Sequence, residues 1–237
     1  MTTAGFLSKE NPLMNGSKVL IIILACMSCT VSGFGEFAWT PGFPVTFTAY
    51  ELQKFEEHQA SRLPKYIDHF KEYSEVYEVP WPLLAAVAYQ ESKWDNNARS
   101  YTGVRGLMQI TEQTAEHIGL TDRRDPVESI RGGAYYLKYL FDKTSPELST
   151  MQRWSLALIA YNIGWGHLRD AGRLAVKFNK NPFDWSDLKS VLPKLEDAEE
   201  HPELKYGYAR GNETVEFVEN VFNYYNLLAQ NQKLAQL

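Results

Sequence analysis

Cysteine is almost missing from this chain: only Cys26 and Cys29 occur, and nothing after them. A domain built from the remaining stretch must be held by its core alone, which about 200 residues can manage without disulfides. The pair spells C-x-x-C, but no strand-to-helix context surrounds it, so a redox or metal role has no support. Excess positive charge is missing too. Twenty-four basic against twenty-nine acidic residues leave −5, which is no footprint for a phosphate backbone and excludes nucleic acid as an expected partner. Strand-like alternation persists nowhere, and no repeat of about 20–50 residues is visible. The five histidines, His58, His69, His117, His167 and His201, lack metal-ligand spacing, so neither a catalytic metal nor another cofactor is expected.

Long apolar runs are scarce as well. Val19 to Ala25 follows Lys18 and is far shorter than the roughly 20 residues a bilayer span needs. A positive flank before it and small residues after it read as the core of a signal peptide, within a leader covering residues 1–32. The polar stretch ahead of it is long for such a leader, and Met14 offers a more compact start. Cys26 follows Ile23-Leu24-Ala25, an imperfect lipobox. Two fates stay open: lipid attachment at Cys26, or cleavage between Ser28 and Gly35. Either gives an exported product, expected in the periplasm, free or anchored to the outer membrane.

What is present is ordinary globular composition, 44% hydrophobic and 22% charged, with a heavy aromatic share of 14%. Gly33, Gly35, Pro41, Gly42 and Pro44 mark a linker that, with a lead-in helix, fills residues 33–62. From Glu51 onward the period is helical. Ile67, Phe70 and Tyr73 or Ser74 share a face; Pro80 stops that helix and Pro82 suits the first turn of the next. Thr111 leads a helix that Gly119 can close. Asp125-Pro126-Val127-Glu128 supplies a cap, a first-turn proline and an acid three positions on. Val127, Ile130, Ala134, Leu137 and Phe141 then trace one stripe. Thr150 is expected to cap a further helix, and a last long one carries Val218, Val221, Phe222, Tyr225 and Leu228. The fold class is all-α, seven to nine helices, with the main domain at 63–232.

The chemistry concentrates in three places. In P-L-L-A-A-V-A-Y-Q-E-S-K-W-D, residues 82–95, Glu91 falls on the same helical face as Leu84, Val87 and Ala88. A carboxylate there is costly unless it is paired or functional, and burial raises its pKa toward what a general acid needs. Next come Gly103 to Ile110, whose glycines permit close approach of a ligand and whose Gln109 offers a donor and an acceptor. Then Ala160-Tyr161-Asn162-Ile163-Gly164 ends a helix with an aromatic and an amide, groups suited to acetamido sugars. Trp94, Trp154, Trp165 and Trp185 read as core. Glu112, Glu116, Glu196, Glu199 and Glu200 read as solvated charges.

E-S-K-W at 91–94, G-L-M-Q-I at 106–110 and A-Y-N-I-G at 160–164 resemble, in order and spacing, the catalytic domain of family 1 lytic transglycosylases. Y-G-Y-A-R-G at 206–211 and F-V-E-N-V at 217–221 are most similar to the F-type branch of that family. The resemblance covers roughly residues 64–230. It implies a goose-lysozyme-like (SLT) helical fold and cleavage of the MurNAc-β-1,4-GlcNAc bond of peptidoglycan glycan strands. It implies Glu91 as sole catalytic acid/base, with Ser100, Gln109, Tyr161 and Asn162 lining the sugar groove and Met108 beside them. Two departures stand out. Phe217 occupies a position where the family often carries a tyrosine near the acid, and Tyr208 is a candidate for the missing hydroxyl. Residues 36–63 are too few for the binding-protein-like domain of F-type enzymes, so that domain's regulation is not expected. A lysozyme-type hydrolase on the same scaffold, or an inactive peptidoglycan-binding module, are the alternatives.

Overall fold

A computed structural model describes residues 47–234. The leader, Met14, Cys26 and Cys29 lie outside the described residues. Among those described there are nine α-helices, three short 3-10 turns and one isolated bridge between Arg99 and Arg105. The all-helical class read from the sequence is the one observed.

α1 (Ala49–Ser61) is the lead-in helix, opened by a capping box between Thr48 and Glu51. A 3-10 turn at Leu63–Lys65 leads into α2 (Ile67–Tyr77), which ends in left-handed Glu78 just ahead of Pro80. α3 (Trp81–Ser92) carries Pro82 in its first turn, as expected. The structure goes further than the one-face reading of this helix. Every residue from Pro82 to Tyr89 is buried, because a helix apolar all round has no side to offer water. α3 runs through the middle of the domain, packed chiefly on α9 (Gly211–Leu234) and also on α2 and α5 (Pro126–Asp142).

α4 (Glu112–Ile118) has Thr111 as its cap and left-handed Gly119 at its end. α5 begins as read, with the Asp125 side chain accepting from the Glu128 amide. Its buried stripe is Ile130, Ala134 and Leu137, completed by Leu140; Phe141 is only half-buried. α6 (Thr150–Ile163) corrects one expectation: Thr150 is inside the helix, and Ser149 is the cap. Gln152 decides this, because it sits three residues after Ser149 and reaches back to the Ser149 amide at 3.0 Å. α7 (Trp165–Lys177) and α8 (Trp185–Val191) follow. Glu196 is likewise more than a solvated charge, since it accepts from the Asn212 amide at 2.7 Å in the first turn of α9. Trp94, Trp154 and Trp185 are core, but Trp165 is only half-buried, with the Lys143 ammonium 4.7 Å over its ring.

Candidate active site

Glu91 is the last residue but one of α3, and the chain turns sharply after it. Lys93 and Trp94 both take left-handed conformations. This reversal folds the Trp94 indole back beneath the helix, where its N–H donates to the Ala85 carbonyl at 2.8 Å. The Ser92 hydroxyl donates to Ala88 at 3.0 Å, and Arg62 donates to the Lys93 carbonyl at 2.9 Å. E-S-K-W is therefore a helix stop that locks itself in place, presenting Glu91 at its edge.

Glu91 keeps a strip of accessible surface, yet its carboxyl is crowded by neighbouring atoms. Burial pushes it up to about 8. The Lys93 ammonium is the one charge that opposes this, and no described residue hydrogen-bonds to the carboxyl. The Lys93 ammonium is itself held over the rings of Tyr89 and Tyr224, 4.8 and 5.1 Å from their centroids. Its own pKa is lowered, first by burial, with Glu91, Glu216 and Glu51 pulling the other way.

Opposite α3 stands Tyr161, near the end of α6. Its phenol is raised well above the ordinary range, first by burial and then by the Glu91 charge, which puts the two groups within electrostatic reach. The hydroxyl donates to the Met108 carbonyl at 2.8 Å. Phe217 of α9 lies parallel to the Tyr161 ring, with centroids 6.4 Å apart. Asn162 is exposed, and its Oδ1 accepts from the buried Thr214 hydroxyl at 2.8 Å. That fixes the amide plane and leaves Nδ2 as a donor toward solvent.

The loop between α3 and α4 is fastened from several sides. Ser100 is a clasp: its Oγ accepts from the Val104 amide at 2.9 Å, and its own N–H donates to the Val104 carbonyl at 2.9 Å. Gln109, left-handed at φ 47, donates its amide to the Gly106 and Ala98 carbonyls at 2.8 and 3.3 Å. Gly106 takes φ 107, and a Cβ there would press into the Arg123 carbonyl. The Met108 amide donates to Ser129 at 3.1 Å. These bonds give Ser100 and Gln109 structural work that the sequence alone did not assign them.

Met108 and Tyr208 come out differently from expectation. Met108 is fully buried against the bare backbone of Gly133, so its side chain offers nothing to a groove. Only its carbonyl takes part, through Tyr161. Tyr208 is 56% exposed with its ring against His201, and no described contact joins it to Glu91. Sequence reasoning missed Thr214, Ser129 and Asp170. Buried Asp170 accepts from the Lys205 and Tyr206 amides at 3.1 and 2.8 Å and pairs with Arg173, pinning the run before α9. Polar residues inside apolar helical stripes were the available signal for all three. Among the described residues, no cluster of His, Cys, Asp or Glu could hold a metal ion.

The model of the transglycosylase SLT domain family matches residues 68–183, from α2 to just before α8. That stretch is similar to an SLT domain. Glu91, Ser100, Met108, Gln109, Tyr161 and Asn162 lie inside the match; Tyr208 and Phe217 lie beyond it. Membrane-bound lytic murein transglycosylase F of Aeromonas salmonicida is 48% identical over 187 residues, covering 79% of this chain. The protein of that name from Shewanella loihica is also 48% identical, over 73% of this chain. The chain spans only 37% of the length of either relative. Among solved structures, the 70-kDa soluble lytic transglycosylase in complex with bulgecin A superposes on 77% of this chain and 26% of its own, with a TM-score of 0.51 at 25% identity. An inactive mutant of the lytic transglycosylase Slt from Pseudomonas aeruginosa gives a TM-score of 0.51 at 20% identity over 70% of this chain and 24% of its own, a likeness of fold. The stretch matched by the family model is helical, from α2 to α7, and α8 and α9 follow it.

Proposed function

We propose that this chain is a peptidoglycan lytic transglycosylase, cleaving the MurNAc-β-1,4-GlcNAc bond with formation of a 1,6-anhydroMurNAc end. The observation that carries the reading is a single carboxyl, neutral at physiological pH, set at the edge of an otherwise apolar helix. Most glycosidases need a second carboxylate, as nucleophile or to activate water. Among the described residues, no other carboxylate bears on Glu91. One group that is acid first and base second suits a reaction whose nucleophile belongs to the substrate.

Glu91 gives its proton to the glycosidic oxygen as the bond to C1 breaks and an oxocarbenium-like centre develops. The carboxylate so formed takes the proton of the C6 hydroxyl as that oxygen closes on C1. Glu91 ends protonated again, and no water is consumed. Asn162, through its free Nδ2, and the rim formed by Tyr161 and Gln109 hold the sugar chain. The lone charge on Glu91 exists only within the cycle, and Lys93 is the cation placed to stabilise it.

The names of the relatives support residence in the bacterial envelope, with glycan strands as the partner. Among the described residues, no helix is long and apolar enough to cross a membrane. Attachment through Cys26 is the proposed anchor, and Cys26→Ser is expected to move the mature protein from the membrane to the soluble fraction; an unchanged distribution rules that anchor out. Mass analysis of products from purified sacculi tests the reaction. Anhydro ends, each lighter by one water than a hydrolytic product, are expected. Reducing-end MurNAc as the main product would replace this reading with a lysozyme-type hydrolase.

A further inference from the structure

Lys93 stands where a helix ordinarily ends in glycine. It caps α3 at φ 54 and ψ 34, and Trp94 repeats the left-handed conformation at φ 55. A Cβ is disfavoured in that region and glycine is not. Two such residues in succession persist only when their surroundings fix them. Trp94 is fixed from inside, by its N–H on the Ala85 carbonyl. Lys93 is fixed from outside. Its carbonyl belongs to the end of α3, where backbone acceptors lack partners within the helix, and it accepts from Arg62 Nη1 at 2.9 Å.

Arg62 caps α1, where its own N–H donates to the His58 carbonyl at 2.8 Å, and it precedes the stretch that the SLT model matches. α1 grips the same corner again through His58, whose Nδ1 lies 3.2 Å from the Tyr89 hydroxyl. What the corner holds is the Lys93 side chain, with its ammonium over Tyr89 and Tyr224 and 3.4 Å from Gln90 Oε1. Glycine at position 93 would make this turn more easily, but it would leave Glu91 without the one charge that opposes its burial. The Arg62 charge acts on His58 and Tyr89 but does not reach Glu91. An influence of Arg62 on the acid therefore has to pass through the backbone that it holds.

We propose that Arg62 is a positioning residue for the chemistry of Glu91: it holds the left-handed turn at Lys93, and with it the ammonium that steadies the Glu91 carboxylate. α1 is thereby a working part of the active site. The use made of this clamp rests on the transglycosylase reading, in which that carboxylate forms once per cycle; the clamp itself can be measured without substrate.

The test follows the Glu91 carboxyl carbon by NMR as pH is raised, in glycan-free protein with labelled glutamate; the signal missing from Glu91→Gln assigns it. Glu51 of α1 and Glu216 of α9 also face Lys93, and Tyr161 of α6 faces Glu91. The phenols of Tyr89, Tyr161 and Tyr224 are all raised, and burial lowers His58, so none of these changes charge near 8. Lys93, itself lowered by burial, is controlled by Lys93→Met, which keeps its bulk without its charge. Arg62→Met is expected to move the Glu91 midpoint upward by about half a pH unit, since the ammonium is loosened and not lost. Lys93→Met should move it further, and adding Arg62→Met to Lys93→Met should change nothing more. Arg62→Lys, which still reaches the carbonyl, should restore both the midpoint and the alkaline limb of kcat/KM. An unmoved midpoint in folded Arg62→Met overturns the proposal, as does an equal shift in the Lys93→Met background, which would make Arg62 a support of the fold alone. Should Arg62→Met fail to fold, Arg62→Gln is read by the same two criteria. Product mass judges the reaction separately: reducing-end MurNAc sinks the transglycosylase and leaves the clamp standing.

Discussion

Glu91 carries two linked consequences at the residue scale, one for rate and one for stability. Glu91→Gln keeps the shape of the side chain but can neither give nor take the proton. Acid/base catalysis is worth roughly 10²–10⁴-fold, so turnover of sacculi should drop by at least that much while the far-UV spectrum is unchanged. With the carboxyl pushed up to about 8, kcat/KM should decline on the alkaline side as Glu91 ionises in the free protein. The sign for stability follows from the same shift. The unfolded carboxyl loses its proton near 4.5 while the folded one holds it to about 8, so the folded state binds the extra proton in that window. Stability is full below the unfolded value and is lost as pH rises through the window. Removing the titration with Glu91→Gln should therefore change stability little at pH 4 and raise it increasingly up to pH 9, by on the order of a few kcal/mol, read as a growing Tm difference. A Tm difference that is flat with pH would refute burial as the cause of the shift. Phe217→Tyr probes the neighbourhood further: a hydroxyl donated to the carboxylate favours the charged form, and the alkaline fall-off should move to lower pH. An unmoved profile would mean that the ring, parallel to Tyr161, holds its para position away from the acid.

Elements were largely legible in the sequence where local chemistry fixes them, and less so where two polar neighbours compete. Asp125 with Pro126, and Thr111 with Gly119, are boundaries written in adjacent residues, and they stand where read. Ser149 and Thr150 are both good caps; the glutamine three positions on decides between them, and it selects Ser149. Ser149→Ala should cost about 1 kcal/mol, or about 2–4 °C in Tm for a domain of this size, and Thr150→Ala much less; equal losses would show that the box does not define the start of α6. The crowded carboxyl of Glu91 was legible because a charge stood out on an apolar helix. Met108 was not, because a methionine in a glycine-rich loop looks the same whether it faces ligand or core, and only the bare backbone of Gly133 settles which. Ser100 and Gln109 sit in the expected loop, but their bonds to Val104, Gly106 and Ala98 depend on a backbone reversal that no spacing rule encodes.

On the scale of the whole molecule, α1 belongs to the domain although it precedes the family match. Phe55 is buried, its ring 5.7 Å from Trp94 and stacked on Tyr224 at 5.3 Å, so it braces the reversal after Glu91 from outside. Phe55→Ala should cost about 3–5 kcal/mol, and urea titration should show an earlier midpoint with an unchanged slope. The packing of α3 on α9 has a consequence in time. More than a hundred residues separate the helix that bears the acid from the helix that covers it, and a ribosome adding roughly 5–20 residues per second takes several seconds to deliver the second after the first. During that interval α3 lacks its largest neighbour, Glu91 is open to water, and its carboxyl sits near the value of a free side chain, already ionised at neutral pH. Glu91 is therefore ready as an acid only after α9, more than a hundred residues downstream, has docked on α3.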